Sequence, residues 1–301
     1  MRVLITGGHG FIGAWVARIL LERDHDVRIF DVHDDRTLFH EIVGTLENRP
    51  IDRVVGDIAD PSDVLEAVEG CDAVVHLAGI LLPGCREDPI QGARVNVLGT
   101  LHVFEAAKKH KLRGGIAYAS TAAVFGPDDG VVPLPYNHYG AFKLCTEGNA
   151  RAYWVDAGIR SVGFRPYTVY GPGRSYGMTA GPTLAMRAAA EGKPYAIPFT
   201  GRTGMEYVAD TAWGFATAAT EPPDGAHAFS LQGTVASTDE IIAAIDEVVP
   251  GAQITATGEP LPLAPVLEEG TLREVFPKLP KTSLRDGARA TIEFYRAPVR
   301  S

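Results

Sequence analysis

The chain begins Met1-Arg2-Val3-Leu4-Ile5-Thr6-Gly7-Gly8-His9-Gly10-Phe11-Ile12-Gly13, and this stretch decides the fold. Residues 3–5 form a short aliphatic run without polar alternation, as in a parallel strand that is buried on both faces. Glycines follow at once, and residues 14–22 have the apolar composition and spacing of a helix. A strand, a glycine turn and a helix N-terminus together make a phosphate site, because free backbone N–H groups and the positive helix end converge there.

Each glycine has a distinct structural role in such a turn. Gly7 or Gly8 permits the tight turn, and Gly10 lets a pyrophosphate approach the backbone. Gly13 lets the helix pack close to the sheet. Asp31 ends a second predicted strand, where a carboxylate accepts hydrogen bonds from both ribose hydroxyls and repels a 2′-phosphate. The pattern predicts NAD as the cofactor; the alternative is a glycine-rich turn that binds nothing.

Composition narrows the function classes. The 301 residues are 46% hydrophobic and 22% charged, and the net charge is −9 with no basic stripe, so we expect neither nucleic acid nor a membrane as a partner. No apolar run approaches the ~18 residues of a membrane span. A strand that starts at residue 2 leaves no room for a signal peptide.

The cysteines and histidines indicate neither a disulfide framework nor a metal site. Cys71, Cys85 and Cys145 are odd in number and lack C-x-x-C spacing, and the nine histidines are scattered. We therefore expect no metal and a cytoplasmic location.

Further predicted strands alternate with predicted helices along the first half of the chain. The strands are expected at 53–58 (a strand and its exit), 73–79, 115–121 and 161–165, and the helices near 38–46, 61–68, 89–111 and 139–157. A loop with Pro83 and Gly84 is expected after the strand at 73–79. This rhythm predicts an α/β fold with a Rossmann-type, doubly wound parallel sheet. Ligands then bind at the carboxyl ends of the strands.

Beyond residue 173 the pattern changes, with more prolines and less regular alternation. We expect helices at 182–191, 210–220 and 237–248 and short strands at 195–199 and 227–231. Ser237 and Glu240, three residues apart, predict a capping box at the start of the last of these helices. The predicted division is an NAD-binding domain of residues 1–173 with 205–235, and a smaller C-terminal substrate-binding lobe of residues 174–204 with 236–301.

Tyr139 and Lys143 lie four residues apart on one face of a predicted helix. A free tyrosine has a pKa near 10, and bringing it to ~7 takes roughly 4 kcal/mol of differential stabilisation. A nearby ammonium and an oxidised nicotinamide ring would favour the phenolate, which could then accept a proton from a substrate hydroxyl. Thr121, at the end of a neighbouring strand, could orient that hydroxyl. The alternative is an ordinary surface pair.

Short sequence motifs that are typical of one protein family occur along most of the chain. They are residues 6–13, Gly56-Asp57-Ile58, His76-Leu77-Ala78-Gly79, residues 96–100, residues 118–126, Tyr139 with Lys143, Phe164-Arg165-Pro166 with residues 169–173, and Tyr207-Val208-Ala209-Asp210. In these motifs the chain resembles the extended short-chain dehydrogenases/reductases, the group that contains NAD-dependent sugar epimerases and dehydratases. The resemblance implies a homodimer formed through the helices near 89–111 and 139–157.

The resemblance also implies roles for individual residues. The catalytic residues would be Thr121, Tyr139 and Lys143, with Thr121 rather than Ser120 in the hydroxyl position when one counts back from Gly126. The cofactor-binding residues would be Gly7, Gly10, Phe11, Ile12, Gly13, Asp31, Asp57, Ile58, Leu77, Ala78, Gly79, Asn96, Tyr139, Lys143 and Tyr167. Among these, Asp57 and Ile58 would flank the adenine. Lys143 would hold the nicotinamide ribose, and Tyr167 would lie near the carboxamide.

Three positions depart from the family pattern. Dehydratases carry an Asp-Glu pair where this chain has Ala122 and Ala123, so we do not expect dehydration. Nucleotide-sugar members usually carry a diphosphate-binding arginine where this chain has Thr203, with Arg202 one step away. The segment 126–139 is short and has only Asp128 and Asp129 as acids.

The expected function is an NAD-dependent oxidoreductase or epimerase that acts on a secondary hydroxyl of a sugar or sugar-derived substrate. A small sugar, sugar acid or polyol is favoured over a nucleotide sugar, because a buried diphosphate needs a cationic partner. Arg174, Arg187 and Arg202 remain candidates for that partner. A nucleotide-sugar epimerase, a non-catalytic NAD(P)-binding regulator and a structural subunit remain alternatives, and the sequence leaves net oxidation and epimerisation unseparated.

Overall fold

The computed structural model describes residues 1–127 and 130–297. Its strands are β1 (Arg2–Thr6), β2 (Asp26–Asp31), β3 (Ile51–Val55), β4 (Ala73–His76), β5 (Ile116–Ala119), β6 (Ser161–Pro166), β7 (Thr168–Tyr170), β8 (Tyr195–Ile197), β9 (Arg202–Tyr207), β10 (Ala226–Leu231), β11 (Thr234–Ser237) and β12 (Ile254–Ala256). Its α-helices are α1 (Phe11–Glu22), α2 (Thr37–Val43), α3 (Pro61–Val68), α4 (Leu82–Glu87), α5 (Pro89–Ala93), α6 (Gly99–His110), α7 (His138–Ala157), α8 (Gly181–Ala190), α9 (Val208–Thr220), α10 (Thr238–Asp246), α11 (Leu272–Val275) and α12 (Leu284–Arg296).

Seven strands form one parallel sheet in the order β10-β6-β5-β4-β1-β2-β3. β1 lies inside this sheet, and Val3 pairs with Val27 on one side and Ala73 on the other. Val3 and Ile5 belong to the apolar core under α1 and α9, while Leu4 faces the core under α3 and α6. Both faces of β1 are therefore buried, and the predicted doubly wound parallel sheet is confirmed.

The structure corrects several local expectations. The stretch around Pro83 and Gly84, read as a loop, forms α4. The single helix expected at 89–111 is divided into α5 and α6 by a π-helical segment, Arg94–Leu98. The exit from β6 contains β7, which pairs with β9, and β9 also pairs with β11. These short strands exist because they pair with one another, a contact that local periodicity does not reveal.

The remaining C-terminal elements pack into a separate apolar cluster. α12 packs on α8 and α10, and β8 pairs with β12. The capping box expected at Ser237 and Glu240 is present at the start of α10. None of the helices in the described residues is long and apolar enough to cross a membrane. Asp128 and Asp129 lie outside the described residues, and the division into two lobes stays a prediction.

Candidate catalytic and cofactor-binding site

The turn between β1 and α1 is built by glycines that no other residue could replace without strain. Gly7 has φ +68° and donates its N–H to the carbonyl of Phe30 at 2.8 Å. A Cβ at Gly7 would lie 2.8 Å from the nitrogen of Ala78, and a Cβ at Gly13 would lie 2.4 Å from the carbonyl oxygen of Gly7. Gly7, of the two candidates, is thus the residue with the left-handed conformation, and Gly13 permits the close approach of α1.

The N-terminus of α1 is open. Gly10 is its N-cap and supplies no side-chain hydrogen bond, whereas Asp60 and Ser237 cap α3 and α10 with theirs. Asp31 stands at the end of β2, and its Oδ2 accepts the N–H of His9 from the turn at 3.1 Å. The carboxylate expected to bind the ribose therefore lies beside the expected phosphate site.

The other residues expected at the cofactor follow β3 and β4. Asp57 is exposed and accepts the N–H of Ala59 at 2.9 Å, while the Ile58 side chain is buried beneath it. The N–H groups of Leu77 and Ala78 both donate to Thr6 Oγ1 at 3.2 Å. These groups lie at the carboxyl ends of neighbouring strands, which is the edge where ligands bind in such sheets.

A buried hydrogen-bond chain runs behind this edge. Thr100 Oγ1 donates to the carbonyl of Asn96 at 2.8 Å, so it accepts from His76 Nε2 at 3.0 Å. Thr6 Oγ1 donates to His76 Nδ1 at 2.7 Å. Burial, with a smaller contribution from Lys143, lowers the pKa of His76 to about 3. His76 is therefore a neutral Nε2–H tautomer that joins Thr6 at the end of β1 to Thr100 of α6, which in turn bonds Asn96 in the π-helical segment.

Asn96 lies in that π-helical segment with an unused acceptor. Its Nδ2 donates to the carbonyl of Ile80 at 3.0 Å and to Cys85 Sγ at 3.3 Å. Its Oδ1 is buried without a hydrogen-bond partner among the described residues. A Cβ at Gly79 would lie 2.7 Å from this oxygen and 3.4 Å from Lys143 Nζ. The glycine thus leaves the Asn96 oxygen and the Lys143 ammonium facing one small space.

Tyr139 and Lys143 are both near the start of α7. Lys143 is 3% exposed, with its Nζ 5.9 Å from the centre of the Tyr139 ring. Thr121 is hydrogen-bonded to the Tyr139 hydroxyl, and its Oγ1 also accepts the N–H of Ala123 at 3.2 Å. The three residues expected to be catalytic lie together at the carboxyl end of β5.

The neighbouring hydroxyl points elsewhere. Ser120 Oγ donates to Glu147 Oε1 at 2.5 Å, and Glu147 also receives two hydrogen bonds from Arg165, at 2.8 and 2.6 Å. Ser120 thus belongs to a buried ion-pair network, and Thr121 is the hydroxyl beside Tyr139. This geometry supports the assignment of Thr121, rather than Ser120, to the hydroxyl position, which was made by counting back from Gly126.

Burial dominates the ionisation of the pair. It raises the pKa of Tyr139 to about 12 and lowers the pKa of Lys143 to about 8. The hydrogen bond from Thr121 and the charge of Arg174 act against burial at Tyr139. The ammonium of Lys143 was expected to favour the phenolate, but in the protein alone the phenol stays neutral at physiological pH.

The sequence did not place two neighbours of the Tyr139–Lys143 pair at this site. Cys85 is fully buried in α4, donates to the carbonyl of Ile80 at 3.2 Å, and affects the ionisation of both Tyr139 and Lys143. Its position became visible only with the helix that replaced the expected loop. Arg174 was a candidate from sequence, but its place beside Tyr139 was not predictable.

The remaining candidates have partners outside the Thr121–Tyr139–Lys143 group. Tyr167 is 7% exposed and donates its hydroxyl to the carbonyl of Ala264 at 2.8 Å, within an apolar cluster. Arg187 pairs with Glu191 at 2.9 Å on the surface of α8. Arg202 is exposed, where its Nη1 lies 3.6 Å from Glu240.

Thr203 occupies the place of the diphosphate-binding arginine. It is fully buried, and its Oγ1 lies 2.7 Å from Thr168 Oγ1 in a hydroxyl pair between β9 and β7. No cation therefore stands at this register position, and a long side chain would have to displace the Thr168 contact.

The residues present fit a dinucleotide cofactor. The open helix N-terminus at Gly10 suits a pyrophosphate, and the Asp31 carboxylate suits ribose hydroxyls. The unpartnered Asn96 oxygen and the Lys143 ammonium supply further polar groups at the other end of the cleft.

The chain is similar to known proteins in sequence and in fold. The sequence profile of the NAD-dependent epimerase/dehydratase family matches residues 3–231. A UDP-glucose 4-epimerase of Corynebacterium glutamicum is 32% identical over 181 residues, which are 57% of this chain and 52% of that protein. A 3-beta-hydroxysteroid dehydrogenase of Mycolicibacterium neoaurum is 33% identical over 186 residues, which are 57% of this chain and 48% of that protein.

The chain spans about half the length of these curated relatives. Among solved structures, the UDP-glucose 4-epimerase of Thermus thermophilus in complex with NAD superimposes with a TM-score of 0.82 at 26% identity. That match covers 98% of this chain and 99% of the other.

Proposed function

Because the chain belongs to the NAD-dependent epimerase/dehydratase family, we propose that it oxidises, or transiently oxidises and epimerises, a secondary hydroxyl of a sugar or sugar-derived substrate. The observation that carries this proposal is the Thr121–Tyr139 hydroxyl pair beside a buried Lys143, on the same sheet edge as the open turn at Gly10.

The residues proposed to hold NAD are those at the carboxyl ends of β1 to β4 and on the helices that follow. They are Gly7, Gly10, Phe11, Ile12, Gly13, Asp31, Asp57, Ile58, Leu77, Ala78, Gly79 and Asn96, with Tyr139, Lys143 and Tyr167 at the nicotinamide end. When bound, NAD⁺ accepts a hydride from the carbinol carbon. Tyr167 is the weakest member of this set, because its hydroxyl is already bonded to the Ala264 carbonyl.

Tyr139 is proposed to move the proton of the reacting hydroxyl. Tyr139 is partly buried, and the hydrogen bond from Thr121 together with a further positive charge would favour the phenolate. Thr121 also lies where it can orient the substrate oxygen. Lys143 would hold the ribose and add its charge to the cleft, for which it must remain protonated with a pKa of about 8.

The proposed substrate is a small sugar, sugar acid or polyol rather than a nucleotide sugar. One relative is named a UDP-glucose 4-epimerase, but in this chain the arginine position of nucleotide-sugar enzymes is the buried Thr203. Arg202 is exposed near Glu240, and Arg187 pairs with Glu191. An enclosed diphosphate needs a charged partner, and neither of these two arginines supplies one. The third candidate, Arg174, acts on the ionisation of Tyr139, where the reacting sugar hydroxyl rather than a diphosphate is proposed to bind.

The variant Tyr139→Phe tests the proposed chemistry. With NAD⁺ and a panel of hexoses, uronates, aldonates and polyols, we expect turnover to fall by ~10² to 10⁴ while NAD⁺ affinity stays within about threefold. Tyr153→Phe is the matched control, since Tyr153 lies on the same helix and bonds Glu105 at 2.8 Å. Sustained absorbance at 340 nm indicates net oxidation, and product without it indicates epimerisation. Near-full activity of Tyr139→Phe would refute the mechanism.

We also propose a homodimer. The helices expected to form it carry exposed apolar side chains, namely Ile90 on α5, Leu98 in the π-helical segment and Val155 on α7. Light scattering at micromolar concentration should give twice the chain mass, and Val155→Glu should shift the protein toward monomer. A monomeric wild type would contradict the proposal.

A further inference from the structure

Arg174 lies between the cofactor turn and the proposed catalytic tyrosine. Its guanidinium carbon is 5.6 Å from the centre of the Phe11 ring, and Phe11 is the first residue of α1. Burial raises the pKa of Tyr139 and lowers the pKa of Arg174, and the attraction between the phenolate and the guanidinium acts against burial at both groups. The guanidinium therefore stands within electrostatic reach of the atom that would take the substrate proton.

This cation has no counter-charge in residues 1–127 and 130–297. Its Nη2 donates to Thr179 Oγ1 at 3.1 Å, its Nε is buried without a hydrogen-bond partner in the described part of the chain, and burial lowers the pKa of the guanidinium. No carboxylate of the described ranges forms an ion pair with it. An arginine has five N–H donors. A buried guanidinium whose hydrogen-bond partner is a neutral hydroxyl destabilises the folded protein unless an anion binds to it.

Other partly buried arginines of the chain are satisfied differently. Arg165 makes two hydrogen bonds to Glu147, and Arg28 donates to Asp52 at 2.6 Å. Arg53 pairs with Glu47 at 2.5 Å. Arg23 donates to Thr217 Oγ1, and the charges of Glu221 and Glu22 act on it. Among the described residues, Arg174 has no ion pair with a carboxylate and the only charge that raises its pKa is that of Tyr139, as expected for a group that binds a charged ligand.

The loop that carries Arg174 is held from both sides. Trp15 of α1 donates to the carbonyl of Pro172 at 3.0 Å, and the N–H of Gly173 donates to the Tyr295 hydroxyl at 2.9 Å. Gly177 has φ +101°, and a Cβ there would lie 3.1 Å from Arg174 Nη2. The guanidinium is therefore preorganised, so that little further conformational entropy is lost when an anion binds to it.

We propose that Arg174 receives a carboxylate of the substrate, so that the substrate is a sugar acid. The inference rests on the proposed function, because it places the substrate hydroxyl at Tyr139. A guanidinium matches a carboxylate with two parallel hydrogen bonds, which neutral sugars cannot form. The other possible anions are the diphosphates of NAD and of a nucleotide sugar. The backbone N–H groups at the open N-terminus of α1 already suit the diphosphate of NAD. In a nucleotide sugar, the sugar ring would separate the diphosphate from the hydroxyl that reacts at Tyr139, which leaves Arg174 for a carboxylate on the sugar.

Matched pairs of acid and neutral ligands test the proposal. D-galacturonate is compared with D-galactose, and D-gluconate with D-glucitol, on the wild type, Arg174→Gln and Arg174→Lys. Arg187→Gln is the control, because Arg187 is a surface arginine that pairs with Glu191. Ligand binding is read as thermal stabilisation with NAD⁺ present, and NAD⁺ binding is measured separately by calorimetry.

For the wild type we expect at least one acid to bind about 10- to 100-fold more tightly than its neutral partner. Arg174→Gln should remove this preference, Arg174→Lys should restore part of it, and NAD⁺ affinity should stay within about threefold. An unchanged preference in Arg174→Gln overturns the proposal. So does the absence of any acid preference in the wild type.

A loss of NAD⁺ affinity in Arg174→Gln with the preference intact would also overturn it and assign Arg174 to the cofactor diphosphate. Binding needs no turnover, so it can be measured in Tyr139→Phe as well. Failure of the proposed chemistry is thereby distinguished from failure of the Arg174 assignment.

Discussion

The two halves of the cleft are built in different ways. In what we call the backbone half, at the ends of β1 to β4, glycines and main-chain N–H groups define the site. In the side-chain half, at the ends of β5 to β7, the site consists of Thr121, Tyr139, Lys143 and Arg174. Backbone sites depend on local spacing, whereas side-chain sites depend on contacts between distant segments. A substitution of a glycine in the backbone half should therefore weaken ligand binding by steric clash. A substitution in the side-chain half should act by removing a charge or a hydrogen bond.

The largest effect is expected at Gly13. In Gly13→Ala the new Cβ would lie 2.4 Å from the Gly7 carbonyl oxygen and 2.7 Å from the Gly8 Cα, and backbone atoms cannot move aside cheaply. We expect the free energy of unfolding to fall by about 3 kcal/mol and NAD⁺ affinity to fall at least 100-fold. Gly148→Ala is the control, since nothing lies within 4 Å of a Cβ at this exposed position in α7. Denaturant titration measures the free energy of unfolding, and calorimetry measures NAD⁺ affinity. Equal values for Gly13→Ala and Gly148→Ala would contradict the proposal that close backbone contacts define this half of the site.

His76 should make the backbone half sensitive to acid. Its pKa of about 3 in the folded protein lies below the ordinary 6.5, so the unfolded chain binds the proton more readily. The stability contribution is complete above pH 6.5 and is lost as the pH falls toward 3. Between pH 7.5 and 5.5 the wild type should lose about 1.4 kcal/mol more unfolding free energy than His76→Asn. Parallel pH dependences of the two proteins would show that His76 is not the titrating group.

At Asp31 we expect a smaller effect than at Gly13 and His76, namely on the preference for NAD⁺ over NADP⁺. Its carboxylate next to the turn would repel a 2′-phosphate, and His33 and Arg36 lie close enough in sequence to soften the repulsion. We expect the wild type to bind NAD⁺ about tenfold or more tightly than NADP⁺, and Asp31→Asn to narrow this ratio. Titrations with both cofactors measure it, and equal or tighter NADP⁺ binding by the wild type would contradict the assignment.

The smallest effect is expected at Arg202. Its ion pair with Glu240 is exposed, and such pairs contribute about 0 to 1 kcal/mol. In Arg202→Gln, thermal stability and ligand binding should change little. UDP, with NAD⁺ present, should stabilise neither protein. If UDP stabilises the wild type strongly and Arg202→Gln weakly, a nucleotide sugar becomes the substrate and Arg202 its diphosphate partner.

The same contrast explains what the sequence could predict. The glycine turn, Asp31 and the Tyr139–Lys143 pair have fixed local spacings, and the parallel sheet follows from aliphatic runs such as residues 3–5. β9 was missed because Arg202–Tyr207 contains charged residues and a glycine, and it is a strand through pairing with β7 and β11. The π-helical segment and the place of Arg174 arise from packing between elements, which no local pattern encodes.

The central claim is that the two halves meet at Tyr139, where a cofactor held by the backbone half changes the ionisation of a buried phenol. In the protein alone, burial holds the pKa of Tyr139 at about 12. A unit positive charge in a cleft of effective dielectric about 20 contributes several kcal/mol at contact distance, which corresponds to two or more pKa units.

The direct measurement is the tyrosinate absorbance near 295 nm as a function of pH, taken as wild type minus Tyr139→Phe, with and without NAD⁺. Without NAD⁺ the difference should show no ionisation below about pH 10. With saturating NAD⁺, one tyrosine should ionise at least two pH units lower than it does without NAD⁺. An ionisation that is the same in both conditions would contradict the account.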